Sequence, residues 1–351
     1  MRIEYLKGSK KEFFEFVDLI TFRDKIAILT HNDLDGIASA VFLEKILEKK
    51  NLKIEYIDFL SINPNMIKEV IYTLEGKGIT KVFFCDLGVD SIDFEGYVEL
   101  RTKMDVFLID HHPMSSNVYG FNKIIKTISE DCSALTVFDL GREVFDSSEW
   151  DWLLCSTLFS EFSYNKSENL EYIMKIYPEV SLENISSSVP GRIARKISSA
   201  LVYYKMNVSY VYDLIKKRDL EELDRIHDII EEEVDRIVED FSDKKEFFPE
   251  EKVYFYEIDS KYELTSYVSS LISKIKPDYS FIFYRRTNGV MKISARNQGK
   301  NEDMGSLMQY ACNGLEEASG GGHFPAAAAR IKSEDFQKFK NRIMEYLNKN
   351  S

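Results

Sequence analysis

The sequence predicts an α/β protein with a parallel-sheet N-terminal domain, a helical connecting region and a smaller α+β C-terminal domain. Three observations predict it. Over residues 1–130, short apolar runs alternate with amphipathic stretches. Residues 133–241 then read as almost wholly helical, and strand patterns return after a charged, proline-containing stretch at 243–251. Strands buried on both faces carry no polar alternation, so near-continuous Val/Ile/Leu/Phe runs spaced by helices indicate a parallel sheet covered on both sides.

In chain order, the predicted strands are 25–31 (KIAILTH), 54–60 (IEYIDFL), 81–87 (KVFFCDL), 105–110 (DVFLID) and 121–126 (FNKIIK). Helical stretches at 36–50 and 65–78 lie between them. The helical region ends in an acidic segment with Leu223, Ile226, Ile230, Val234, Ile237 and Phe241 on one face. Beyond the boundary come strands VYFYEI, SFIFYRR and VMKISAR, the last two joined by a TNG turn, with helices at 264–275, 303–312 and 333–348. The expected domains are therefore 1–242, including the helical linker, and 252–351.

Composition narrows the function classes. Hydrophobic residues make up 44% and charged residues 30%, as in a folded globular protein. No apolar run is long enough to span a bilayer, and the first residues lack a signal-peptide pattern, so a cytoplasmic protein with no membrane partner is expected. The four cysteines are scattered and read as reduced core residues. Net charge is −13, and residues 1–242 hold 29 Lys and Arg against 44 Asp and Glu. Such a body is poorly suited to long duplexes, whose binding depends on phosphate neutralisation. It remains compatible with a site where metals bring the positive charge.

Three predicted strands end in groups able to bind metal. The first delivers HNDLDG, with His31, Asp33 and Asp35; another ends at Asp86; a third delivers Asp110, His111 and His112. Ligands of open parallel sheets bind beyond the strands' carboxyl ends. Carboxylates and imidazoles converging there would be costly to bury without a cation. The oxygen-rich, thiolate-free mixture suits Mn²⁺ or Mg²⁺ better than structural zinc. Taken singly, DLDG is also a common turn and a strand-terminal aspartate a common helix cap.

The C-terminal part offers a phosphate clamp. In VMKISAR, Lys292, Ser294 and Arg296 share one strand face. Nearby, EEASGGGHFPAAAAR places Gly321 and Gly322 before His323, a run that reads as an anion nest or as a plain flexible turn. His227, in the acidic helix, reads as an incidental surface residue.

HNDLDG, FFCDLG, IDHHP and GGGH followed by AAAA, in this order, resemble the DHH superfamily of phosphoesterases with a DHH-associated C-terminal domain. The HNDLDG version is most similar to archaeal RecJ-like proteins, and nano-RNases belong to the same superfamily. The resemblance implies a two-metal phosphodiesterase or exonuclease using activated water on short single-stranded oligonucleotides or linear dinucleotides. It implies two Mn²⁺ ions, or Mg²⁺ in their place. His31 and Asp33 would hold one ion, Asp35 and His111 the other, and Asp86 would bridge them. His112 would contact the scissile phosphate and Asp110 would orient a histidine. Arg296, Gly321, Gly322 and His323 would grip substrate. Partners implied are oligonucleotides or dinucleotides, and either a second copy of the chain or a replication or repair protein.

One departure stands out. The family has a further aspartate in a segment like GILTDT, where this chain has LLCSTLFSEFSYN, and Glu161 is the candidate replacement. The same gap motivates an alternative, a catalytically impaired subunit of a nucleic-acid-processing assembly. Pyrophosphatase activity is a third reading, though no Arg-Lys pattern for pyrophosphate is evident.

Overall fold

A computed structural model describes residues 1–205 and 207–350. The chain forms two compact units, Met1–His227 and Asp228 onward, and the division falls inside one 25-residue helix, Leu220–Lys244. The predicted apolar stripe of that helix is buried from Leu223 to Ile237.

The first unit is built on six strands: β1 (Tyr5–Lys7), β2 (Ile26–His31), β3 (Ile54–Leu60), β4 (Lys81–Cys85), β5 (Asp105–Asp110) and β6 (Ile124–Thr127). Their spatial order is β1-β6-β5-β4-β2-β3, all parallel except β1, which pairs antiparallel with β6. Successive side chains of a strand point to opposite faces. Phe83 therefore joins the apolar layer of Phe13, Phe42 and Phe138, while Phe84 joins that of Ile67, Leu74 and Tyr97. This two-sided burial is why the strands read as unbroken apolar runs. From β2 the chain steps to β3 on one side and then to β4 on the other, so strand order reverses at the β2–β4 boundary. Open sheets hold ligands at such a switch point.

The second unit has another six strands: β7 (Glu246–Phe248), β8 (Val253–Glu257), β9 (Ser280–Thr287), β10 (Val290–Arg296), β11 (Ser319–His323) and β12 (Ala326–Lys332), ordered β11-β12-β10-β9-β8-β7. The β9–β10 hairpin turns through Asn288 and Gly289, both at positive φ, as the Asn-Gly pair predicts. The triple glycine differs from expectation. Residues 319–323 run extended as an edge strand paired with the alanine run, and no anion nest forms there. A Cβ at Gly320 would come within 2.6 Å of the Met308 carbonyl oxygen, so glycine lets the Met304–Cys312 helix pack directly on the strand. All four cysteines are buried and free, as expected. Among the described residues no helix is long and apolar enough to cross a membrane.

Candidate metal centre

β2, β4 and β5 lie side by side, and each ends in part of the site. His31 is the last residue of β2, and Asp33 caps the Leu34–Lys49 helix by accepting from the Gly36 N–H at 3.0 Å. Only glycine fits at 36, because a Cβ there would lie 2.1 Å from the His31 carbonyl oxygen. The helix start is thereby pressed against the strand end. Asp86 follows β4 with φ of 60°, a left-handed conformation that aspartate tolerates better than most residues. Asp110 closes β5, and His111 and His112 follow it.

These side chains converge. His31 Nδ1 lies 2.7 Å from Asp33 Oδ2 and 3.6 Å from Asp86 Oδ2. His111 Nε2 lies 3.3 Å from Asp86 Oδ1 and 3.7 Å from Asp35 Oδ2. Two groups of donor atoms, His31/Asp33/Asp86 and Asp86/His111/His112, each fall within 4.8 Å, and Asp86 belongs to both. Asp35 lies outside both groups. It is fully buried and accepts from the Ser133 and Ala134 N–H groups at 2.9 and 2.8 Å, capping the Ser133–Gly141 helix. Glu161 directly follows the Asp151–Ser160 helix, and its charge is felt by Asp35.

The electrostatics show an acidic site short of positive charge. Burial pulls the His31 imidazolium down, but Asp33 and Asp86 outweigh it and hold its pKa up at about 10. His111 follows the same logic through Asp86 and Asp35, reaching about 11. Glu161 is pushed up to about 7, first by burial and then by Asp33 and Asp86. Burial, then Asp86, raises Asp35 well above the carboxylate range. Protons thus occupy the places that cations would fill. His111 Nδ1 donates to the Ser129 carbonyl at 2.8 Å, which directs Nε2 to the carboxylates, the usual support for a metal-binding imidazole. The donor set fits hard divalent cations.

His112 is arranged differently. Its Nδ1 lies 2.7 Å from Asp110 Oδ1, and this contact, working against burial, raises its pKa. Asp110 is in turn held below the usual carboxylate range, since His112 and Lys126 outweigh burial.

In the second unit, Arg296, Gly321 and Gly322 line one cavity of about 420 Å³, with Ser294 and Lys292. Arg296 donates to Ser266 Oγ at 2.8 Å and Ser270 Oγ at 3.0 Å and has no carboxylate partner among the described residues. His323 is not part of that lining and lies exposed at the end of β11. His227 is half-buried, its Nδ1 2.9 Å from Ser199 Oγ.

Residues 25–151 match the DHH family N-terminal domain, and residues 252–349 match the DHHA1 domain. The chain is a DHH-superfamily protein with a C-terminal DHHA1 domain. Among solved structures, RecJ of Thermus thermophilus in complex with Mn²⁺ aligns with a TM-score of 0.72 at 16% identity, over 97% of this chain and 54% of that one. This DHH protein therefore spans about half the length of that RecJ. An exonuclease RecJ bound to manganese aligns with a TM-score of 0.71 at 15% identity, over 99% and 95% of the two chains. CDC45 from Entamoeba histolytica aligns with a TM-score of 0.62 at 14% identity, over 97% and 99%. These similarities show the fold. No curated protein matches the chain in sequence. The family and the donor set together support a metal-dependent phosphoesterase.

Sequence reasoning missed what stands behind the DHH triplet. Lys126 on β6 is fully buried, ion-paired to Asp110 and, at 2.7 Å, to Asp90 Oδ1, and it donates to the His112 carbonyl at 3.2 Å. Its only signal was a lysine interrupting an apolar strand.

A pH dependence follows for this DHH protein without metal. His31 and His111 keep protons up to about 10 and 11, against roughly 6.5 when unfolded, so their stabilisation is full below pH 6.5 and lost as pH rises toward the folded values. Glu161, at about 7 instead of the usual 4.5, has the same sign, its contribution fading between those values. A cation bound among these groups would replace the protons. The thermal-shift gain from saturating Mn²⁺ over EDTA should therefore grow between about pH 6 and pH 8.5. A gain that shrinks over this range would contradict the assignment.

Proposed function

We propose that this chain is a two-metal phosphodiesterase that removes nucleotides from short single-stranded oligonucleotides or linear dinucleotides. The observation that carries the reading is the membership of Asp86 in both donor groups, since one carboxylate would then be common to two cation sites. His31 and Asp33 would hold one ion and His111 with Asp35 the other, with Glu161 completing the set where the family has aspartate. Mn²⁺ is the proposed metal, with Mg²⁺ a substitute. Bound there, such ions supply Lewis acidity that lowers the pKa of water and neutralises charge on phosphoryl oxygens.

The remaining steps belong to the chain's own groups. His112, held by Asp110 through Nδ1, has Nε2 available as a charged donor to a phosphoryl oxygen in the transition state. Arg296, whose side chain donates to neutral acceptors, would take a substrate phosphate in the DHHA1 domain. The acidic balance of residues 1–242 favours short strands over long duplexes.

A second reading, an impaired subunit of a nucleic-acid-processing assembly, is favoured by one observation, glutamate in place of aspartate at 161. Turnover with Mn²⁺ of a 5′-phosphorylated dinucleotide, longer single strands and pyrophosphate separates the cases. Release of mononucleotides supports the proposal. No turnover of any substrate by metal-loaded protein supports the subunit, and cleavage of pyrophosphate alone overturns both.

A further inference from the structure

The strand registers of the C-terminal sheet bring together cations that lie far apart in sequence. Lys292 on β10 sits opposite Arg285 on β9 and opposite Arg330 on β12. Directly paired residues of antiparallel strands share a face. Arg285, Lys292 and Arg330 therefore form a row across three strands, on the face that also carries Arg296. The row and Arg296 are four residues apart along β10, roughly 13 Å at the rise of an extended strand. Between them on β10 lies Ser294, buried and hydrogen-bonded to Ser269 Oγ at 2.9 Å, and beside it the floor is Ala326, Ala328 and Gly321, which offer at most a methyl group. The cavity of about 420 Å³ that contains Arg296 shares Lys292, Gly321 and Ala328 with a neighbouring one of about 460 Å³ that reaches Arg330.

Glu263 opposes the row. Its Oε1 lies 2.8 Å from Lys292 Nζ and 3.8 Å from Arg285 Nη1, so these two cations share one carboxylate, while Arg330 has no ion pair among the described residues. Arg330 is exposed, and Lys292 is half-exposed. Lys292 and Arg330 thus present their charge to solvent at the far end of the trough, while Arg285 is largely buried behind them.

We propose that this row is a second phosphate subsite, separate from Arg296, that takes a later phosphate of a single-stranded oligonucleotide whose leading phosphate sits at Arg296. The inference rests on the nuclease reading above and names its substrate class. A dinucleotide ends short of the row, whereas a trinucleotide or longer strand reaches it. The flat floor between the two ends lets sugar and base lie close to the sheet. The DHHA1 domain thereby measures length and favours longer short oligonucleotides over dinucleotides.

The test uses full-length protein and 5′-phosphorylated di-, tri- and hexanucleotides labelled at the 3′ end. Binding is read by anisotropy in EDTA, and kcat/KM is read with Mn²⁺. For the unmodified protein, affinity should rise at least about tenfold from di- to hexanucleotide, and a Lys292→Ala/Arg330→Ala double variant should lose that rise. The salt dependence of hexanucleotide binding should flatten in the variant, by about 0.7 in log–log slope for each phosphate no longer neutralised. Glu263→Gln should act oppositely and tighten hexanucleotide binding, a gain that damage to the fold would not give. Equal losses for all lengths in the double variant, or a length preference that survives it, would overturn the subsite. Length-dependent binding without any hydrolysis would leave the subsite standing and overturn the nuclease reading. Hydrolysis with no length preference would do the reverse.

Discussion

Replacing Asp86 with asparagine should abolish turnover while leaving the fold intact. We expect kcat/KM on a short oligonucleotide to fall by at least about 10³-fold, or about 4 kcal/mol of transition-state stabilisation. The reason is the shared carboxylate: Asp86 faces His31 on one side and His111 on the other, so its loss would weaken both proposed cation sites at once. Asparagine keeps the volume and tolerates the left-handed backbone at φ of 60° that the turn after β4 requires. Alanine would add a backbone penalty and blur the result. Removing one anion also relaxes the histidines. Without metal, their pKa values should drop toward the ordinary imidazole range, which an NMR titration of the ring protons would show. Circular dichroism should change little. Unchanged activity at saturating Mn²⁺ would dismiss Asp86 as the common ligand.

The second large effect is on stability. Lys126→Met removes the buried cation behind the DHH triplet and leaves Asp110 and Asp90 buried with less than they need. Breaking one side of such a network typically costs about 3–5 kcal/mol, because the remaining charge keeps its desolvation penalty. For a unit of this size that corresponds to a fall of roughly 10 °C in melting temperature. Adding Asp90→Asn to the variant should recover part of the loss, the non-additivity expected of contacting groups. The acid limb should change as well. Asp110 is held below the usual carboxylate range, so its contribution is present above about pH 4 and lost as pH falls toward the folded value. Without Lys126 that pKa rises and the contribution shrinks. Acid unfolding of the variant should therefore start from a lower plateau. Because Lys126 also donates to the His112 carbonyl, the ring proposed to contact the substrate phosphate loses its support. A variant as stable as the parent would show that the network is not a structural keystone.

Much of this was legible in the sequence, for a physical reason. In a sheet buried on both faces, polar groups are excluded from the strands and gather where the chain emerges. His31, Asp86 and Asp110 therefore stood out as the ends of apolar runs. Parallel strands separated by helices then placed those ends along one edge. What escaped notice depended on contacts between distant segments. Asp35 looked like a ligand or part of a local turn, yet its oxygens cap a helix that begins nearly a hundred residues later. Lys126 looked like a polar strand residue, because nothing local reveals that Asp90 and Asp110 surround it. In the C-terminal domain, β11 and β12 were unreadable as strands, since glycine and alanine are poor strand formers whose pairing here is set by packing against the Met304–Cys312 helix. The cationic row emerged only from the register of three strands.

The central claim is that two cations share the Asp86 carboxylate, and diffraction at the manganese edge from crystals grown with Mn²⁺ tests it most directly. Two anomalous peaks about 4 Å apart, one beside His31 and Asp33 and the other beside His111, are the predicted result. A map with no peak at the ends of β2, β4 and β5, from protein saturated with Mn²⁺, would contradict it.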